Sequence, residues 1–256
     1  TSLFYGCKAL TSLDLSSFDT RNVRDMSYVF YGCSALTSLD LSSFDTSKVT
    51  DMTSLFQGCS ALTTLNLSSF NTSNVTDMTR LFYDCRSLTS LDLSSFDTSK
   101  VTNMTSLFSG CKALTSLDLS SFNTASATKV PNLFNGCSAL TSLDLSFFDT
   151  SNVTDMTSLF YGCKALTSLD LSSFNTHKVV YMNYIFRNCS ALQKVTFGAD
   201  WKWVGTNGYL PTPSSTYIAG ADGKWYDTDG NGYAPADIPS NKAMTYTAVA
   251  PKKAFA

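Results

Sequence analysis

The chain has 256 residues, enough for one or two domains, and a hydrophobic fraction of 43% that can supply a core. Charged residues make up only 15% and the formal charge is -2, so no basic field exists that could neutralise a phosphate backbone, and nucleic acid is not an expected partner. No apolar run approaches the roughly 18 residues of a membrane span, and nothing at Thr1 resembles a charged, cleavable leader. The chain opens in mid-pattern, which reads as the cut, N-terminally truncated end of a longer repeat array.

The pattern is set by the cysteines. Cys7, Cys33, Cys59, Cys85, Cys111, Cys137, Cys163 and Cys189 follow one another at intervals of 26 residues. Such a fixed period marks a solenoid whose units cannot bury their faces alone. Within the unit from Ser27 to Met52, Leu36, Leu39 and Leu41 follow L-x-x-L-x-L, and the last two alternate with Ser38, Asp40 and Ser42. That alternation predicts a strand with one buried face.

At the centre of this strand recur Asp14, Asp40, Asn66, Asp92, Asp118, Asp144 and Asp170, placed on the exposed face of the sheet. Carboxylates ~5 Å apart repel by about 1 kcal/mol per pair in water. The row is therefore a candidate ligand-binding face for a cationic partner surface or a weakly held metal. The alternative is a solvated stripe beside serines.

Further along each unit, Asp19, Asp45, Asn71, Asp97, Asn123, Asp149 and Asn175 precede a threonine. Charge is dispensable where Asn replaces Asp, so the position calls for a turn or capping oxygen. Val49, Met52, Leu55, Phe56 and Cys59 then recur mostly at steps of three and four, which predicts a short helix. It should stop at the residue before each cysteine: Gly6, Gly32, Gly58, Asp84, Gly110, Gly136, Gly162 or Asn188, the types that best tolerate a left-handed conformation.

The expected fold is an α/β solenoid, with parallel strands ~4.8 Å apart on one face and short helices on the other. The phenylalanine series Phe18, Phe44, Phe70, Phe96 and Phe30, Phe56, Phe82, Phe108 fill the space between. Cysteines in register point the same way, with Cβ atoms about one strand spacing apart, beyond the ~3.5 to 4.5 Å of a bridge, so buried free thiols are expected. A ladder also spreads ligands along a line, against a zinc site.

The run F-x-G-C-x-x-L-x-x-L-x-L followed by S-S-F-D-T-S-x-V-T-D-M closely resembles the repeat of the BspA-like leucine-rich-repeat surface proteins of bacteria, over roughly residues 1–197. The resemblance implies a secreted or wall-attached protein engaged in adhesion or host contact, and it names no ligand.

Departures from the repeat are few. Ala127, Thr128, Lys129, Val130 and Pro131 stand where other copies read V-T-D-M-T, so this helix is expected to start late, near Pro131. Phe147 replaces a serine and reads as a contact patch or as tolerated variation. The single histidine, His177, stands where other copies carry Ser, Ala or Arg, and no nucleophile and base break the repeat together, so no enzyme is expected.

Beyond Phe197 the period ends, and residues 198–256 carry all three tryptophans: Trp201, Trp203 and Trp225. This segment reads as a cap over the last coil, with a carbohydrate-stacking aromatic platform as the alternative. Asp227, Asp229 and Asn231 match the start of a calcium loop, but position twelve is Ile238, and the same residues suit a hairpin turn. Calcium is the one cofactor this leaves open. Residues from about Ala234 resemble a linker.

The resulting expectation is a non-catalytic extracellular protein of the bacterial cell surface, binding a protein or glycan of host or bacterium. The rival is a structural spacer or self-stacking fibre with end-to-end association.

Overall fold

The computed structural model describes residues 2–252. Twenty-six residues carry the chain once around the axis, so equivalent positions of successive copies lie over one another. In the second copy Leu36, Leu39, Leu41, Phe44, Val49, Met52, Leu55, Phe56 and Cys59 are all buried, and their equivalents join one continuous core. Through its centre runs a stack of Phe30, Phe56, Phe82, Phe108, Phe134, Phe160 and Phe186, with ring centroids 5.8–5.9 Å apart and planes within 8° of parallel. This offset arrangement suits the ring quadrupole. The second series is buried from Phe44 onward, whereas Phe18, in the first coil, is 37% exposed.

The returning leg is not helical. Among the described residues there is no α-helix, and the one helical element is the 3-10 turn Pro235–Asp237. Every residue before a cysteine has positive φ, as its type predicts, but so do Tyr28, Ser54, Arg80, Ser106, Asn132, Ser158 and Tyr184, with φ of 55–61°. A left-handed residue in mid-run excludes an α-helix.

The chain instead makes overlapping turns: the N–H of Val29, Tyr31 and Cys33 donates to the carbonyl of Met26, Tyr28 and Phe30. The intervening N–H groups of Met26, Tyr28, Phe30 and Gly32 donate along the axis to Asp51, Thr53, Leu55 and Gln57 of the next coil, at 2.7–3.0 Å. A helix of so few residues is marginal by itself. The same donors spent between coils tie the array together.

The sheet also differs from expectation. The parallel bridges run along the returning leg, from Asp25 and Asp51 to Asp155 and Tyr181. On the leucine side the earlier coils share isolated bonds, such as Thr63 N–H to Thr37 carbonyl at 3.4 Å. Among the described residues, only the last two segments pair as parallel strands: β1, Ser168–Leu171, and β2, Lys194–Phe197. Backbone bonds between coils are thus denser along the returning leg than on the leucine side.

Three side-chain columns add clamps. Each buried thiol donates to the phenylalanine carbonyl 29 residues earlier, as Cys111 Sγ does to Phe82 at 3.2 Å, and all eight cysteines are free. Burial pushes the thiols of Cys59, Cys137 and Cys189 up to about 12. Thr98 Oγ1 donates to the Asn123 carbonyl and accepts from the Asn123 N–H, both at 2.9 Å, and its equivalents in the other copies do the same. Ser121 Oγ donates to the Leu93 carbonyl at 2.9 Å, again in register.

The last coil is covered by the C-terminal segment. Trp201 lies 4.6 Å from Phe197 and 6.1 Å from Phe186 between centroids, ending the phenylalanine stack. Both Trp201 and Trp225 are buried, so they form core and not an exposed stacking platform. Strands β3, Trp225–Tyr226, and β4, Gly232–Tyr233, form a hairpin, and β5, Met244–Thr247, pairs antiparallel with β2. The mixed sheet has the order β1-β2-β5-β3-β4. Thus a segment that reads as a linker from Ala234 contains the strand that covers the free edge of the last coil.

Candidate functional site

The strand-centre row is exposed throughout, from Asp14, Asp40 and Asn66 through Asp92, Asp118 and Asp144 to Asp170. Each member also shapes the backbone. Its Oδ1 accepts the N–H of the serine two residues on, Ser16, Ser42, Ser68, Ser94, Ser120, Ser146 or Ser172, at 2.9–3.0 Å. These are Asx turns, which bend the chain away from the leucine segment. Hydrogen bonds from the serine hold Asp14, Asp40, Asp92, Asp118 and Asp144 below the usual carboxylate value. At Asp40, Asp118 and Asp144 the neighbouring aspartate raises the value, but this is the smallest of the influences. These five carboxylates are thus held in the charged form, each with one oxygen committed to its turn.

Two further rows do the same work. Asp45, Asn71, Asp97, Asn123 and Asp149 accept from the N–H two residues on, as their Asp/Asn interchange predicts. A row that sequence reading missed, Asp25, Asp51, Asp77, Asn103 and Asp155, accepts from Ser27, Thr53, Thr79, Thr105 and Thr157. This third row explains Lys129 and Pro131. Pro131 occupies the position of the donor threonine and has no N–H, so an acceptor at residue 129 would be idle, and Lys129 stands there instead. No late-starting helix is involved: Pro131 keeps its place in the turn ladder, its carbonyl accepting from Ser106 at 2.8 Å.

Phe147 is 55% exposed, on the flank of the row. It replaces the clamping serine of the other copies, so its coil lacks the bond that Ser121 and Ser173 make.

The residues that match a calcium loop instead close the β3–β4 hairpin. The buried Asp227 carboxylate accepts from the N–H of Asp229 and Asn231, the Asn231 side chain and the Tyr233 hydroxyl, at 2.8–3.3 Å. The Asn231 side chain is the chief cause of its lowered pKa, against the opposing effect of burial. Donors converge on the carboxylate where a cation would require converging oxygens. Asp229 and Asn231 are exposed, and among the described residues no cluster of His, Cys, Asp or Glu is arranged to hold a metal ion.

The family described as "Mycoplasma protein of unknown function, DUF285" matches residues 1–116 and 86–201, most of the chain. The chain belongs to the DUF285 family. Its 26-residue repeat carries the leucine pattern L-x-x-L-x-L. Among solved structures, the DUF285 repeats of this chain are similar to the leucine-rich repeat protein TpLRR of T. pallidum, with 23% identity, TM-score 0.43, and 69% of this chain and 75% of that one covered. A leucine-rich repeat protein from Bacteroides ovatus gives 22% identity, TM-score 0.43, and 75% and 56% coverage; one from Eubacterium ventriosum gives 24%, 0.43, and 80% and 58%. The chain thus spans little more than half the length of these last two. No curated protein matches the sequence. Within the described residues of this DUF285 member, no helix is long and apolar enough to cross a membrane.

Proposed function

We propose that the chain is a non-catalytic protein of the bacterial cell surface, working outside the cell in adhesion and binding a host or bacterial protein or glycan through its leucine-side face. The observation that carries this reading is the exposed row from Asp14 to Asp170, each carboxylate fixed in direction by the N–H two residues on. Regularly spaced, prearranged charge suits an extended cationic partner, whose attraction sums over coils and weakens with salt. Phe147 offers an aromatic anchor beside the row. A solenoid over residues 1–197 and a cap over 198–256 belong to the same proposal.

The test is Asp→Asn substitution at residues 40, 92, 118 and 144. Asn keeps the turn oxygen, as Asn66 does, and deletes the charge. On an array of extracellular-matrix proteins and glycans the parent protein binds at low salt and the substituted protein loses that signal. Silence of the parent, or binding indifferent to both salt and substitution, rejects the reading.

A spacer role draws support from the clamps repeated at every coil, which give a stiff rod. End-to-end association would then raise the scattering mass with concentration while the array stays silent.

A further inference from the structure

The returning leg ends differently from the way it repeats. From Phe4 and Gly6 to Phe160 and Gly162, its alternate N–H groups point toward the C-terminal end of the solenoid, each taken by a carbonyl of the next coil. Bonds in the opposite sense, such as Thr102 N–H to Thr76 carbonyl, are fewer per coil. Peptide dipoles of the returning leg therefore add along the axis, with the positive end at the last coil. There the Tyr184 N–H finds the Asn207 carbonyl at 2.8 Å, while the N–H groups of Phe186 and Asn188 have no acceptor among the described residues.

Past this edge, the coil and the loops of the cap enclose an open groove of about 600 Å³. Its walls include Tyr184, Arg187 and Asn188 from the coil and Asn207, Tyr209 and Pro211 from the cap. The Arg187 guanidinium lies 5.1 Å from the Tyr184 ring centroid and has no carboxylate partner among the described residues. In earlier copies its position holds Tyr5, Tyr31, Gln57, Tyr83, Ser109, Asn135 or Tyr161, and Asn188 stands where every other copy has Gly except for Asp84. A cation, an amide and an unaccepted N–H, not brought together in the earlier copies, thus meet in one groove.

We propose that this groove binds a carboxylate-bearing sugar residue of the uronic or sialic acid class. Arg187 and the Asn188 N–H hold the carboxylate, Tyr209 and Pro211 pack against the ring, and the amides of Asn188 and Asn207 meet its hydroxyls. The planar guanidinium matches a carboxylate. A bare phosphate or sulfate would leave the aromatic and proline walls uncovered, whereas a sugar ring presents C–H faces to them. The groove's volume lies in the range of small-molecule sites. None of these residues belongs to the strand-centre row, so the two proposals stand or fall separately.

Saturation-transfer NMR and calorimetry on the full chain, with glucuronic acid, N-acetylneuraminic acid, glucose and inorganic phosphate as probes, test it. One of the two acids binds with a Kd of about 1 mM or tighter, glucose binds far more weakly, and Arg187→Gln weakens the acid by about tenfold or more. Tyr209→Ala weakens it too, while Arg21→Gln, in the first coil, changes nothing. Four results overturn the proposal: no transfer to either acid at about 10 mM, glucose bound as tightly as the acids, phosphate displacing the acid at equal concentration, or Arg187→Gln without effect.

Discussion

Replacing Thr98 by valine removes one hydroxyl and keeps the side-chain shape. Thr98 is 0% exposed, and its Oγ1 serves both the carbonyl and the N–H of Asn123 at 2.9 Å. Valine leaves two backbone groups without partners, and each buried one costs ~1–3 kcal/mol. Asn123 itself is exposed, so water relieves part of the loss. The net cost is therefore about 2–3 kcal/mol, or roughly 4–12 °C in Tm for a chain of this size.

Thr102→Val is the control. Its hydroxyl is exposed and only 3.4 Å from the Thr76 carbonyl, so the change stays within about 0.5 kcal/mol. Since each coil contacts only its neighbours, hydrogen exchange at the Asn123 amide locates the loss, and urea unfolding followed by circular dichroism sizes it. Equal effects from Thr98→Val and Thr102→Val would refute the clamp.

The buried thiols set an alkaline limit. Burial raises Cys59, Cys137 and Cys189 from an ordinary 9.0 to about 12, so the folded state keeps protons that the unfolded chain releases, and stability is full below pH 9 and falls as pH rises toward 12; a urea midpoint unchanged from pH 7 to about 11 would contradict this. Lys129→Asp and Pro131→Thr stabilise together but not singly, because one supplies the acceptor and the other the N–H; a double-mutant cycle should show coupling of about 1 kcal/mol, and additivity would sink the Asx-turn explanation. Phe147→Ser restores the serine clamp to the Leu119 carbonyl, so stability rises by about 0.5–1 kcal/mol while partner binding on the array drops; lower stability would show the aromatic to be a packing residue.

The period, the core positions and the left-handed residue before each cysteine were legible because each repeats a strong constraint: burial, or a φ that favours Gly, Asn and Asp. The Asp/Asn interchange at Asp45 and Asn71 disclosed its own role as a turn oxygen. The returning leg was not legible, because Val49, Met52, Leu55, Phe56 and Cys59 have the spacing of a helix face whether N–H groups bond within the leg or to the next coil. Ser54 and Tyr28 sit in a left-handed conformation that their side chains do not announce. The strand-centre aspartates looked like a free acidic surface, since nothing in Asp40 alone reveals that Ser42 turns back upon it. Arg187 was readable as a departure from the repeat, but only the fold brings the cap loop of Asn207 and Tyr209 against it.

The solenoid is held together by alternate peptides bonding from coil to coil instead of within a helix. The most direct measurement is the NMR coupling transmitted through hydrogen bonds, recorded on the deuterated protein at the Phe108 amide. The structure predicts a correlation from Phe108 nitrogen to the Leu133 carbonyl carbon, reflecting its 3.0 Å bond to the next coil. A correlation to the Met104 carbonyl carbon, four residues earlier, would restore the helix and contradict the coil-to-coil ladder.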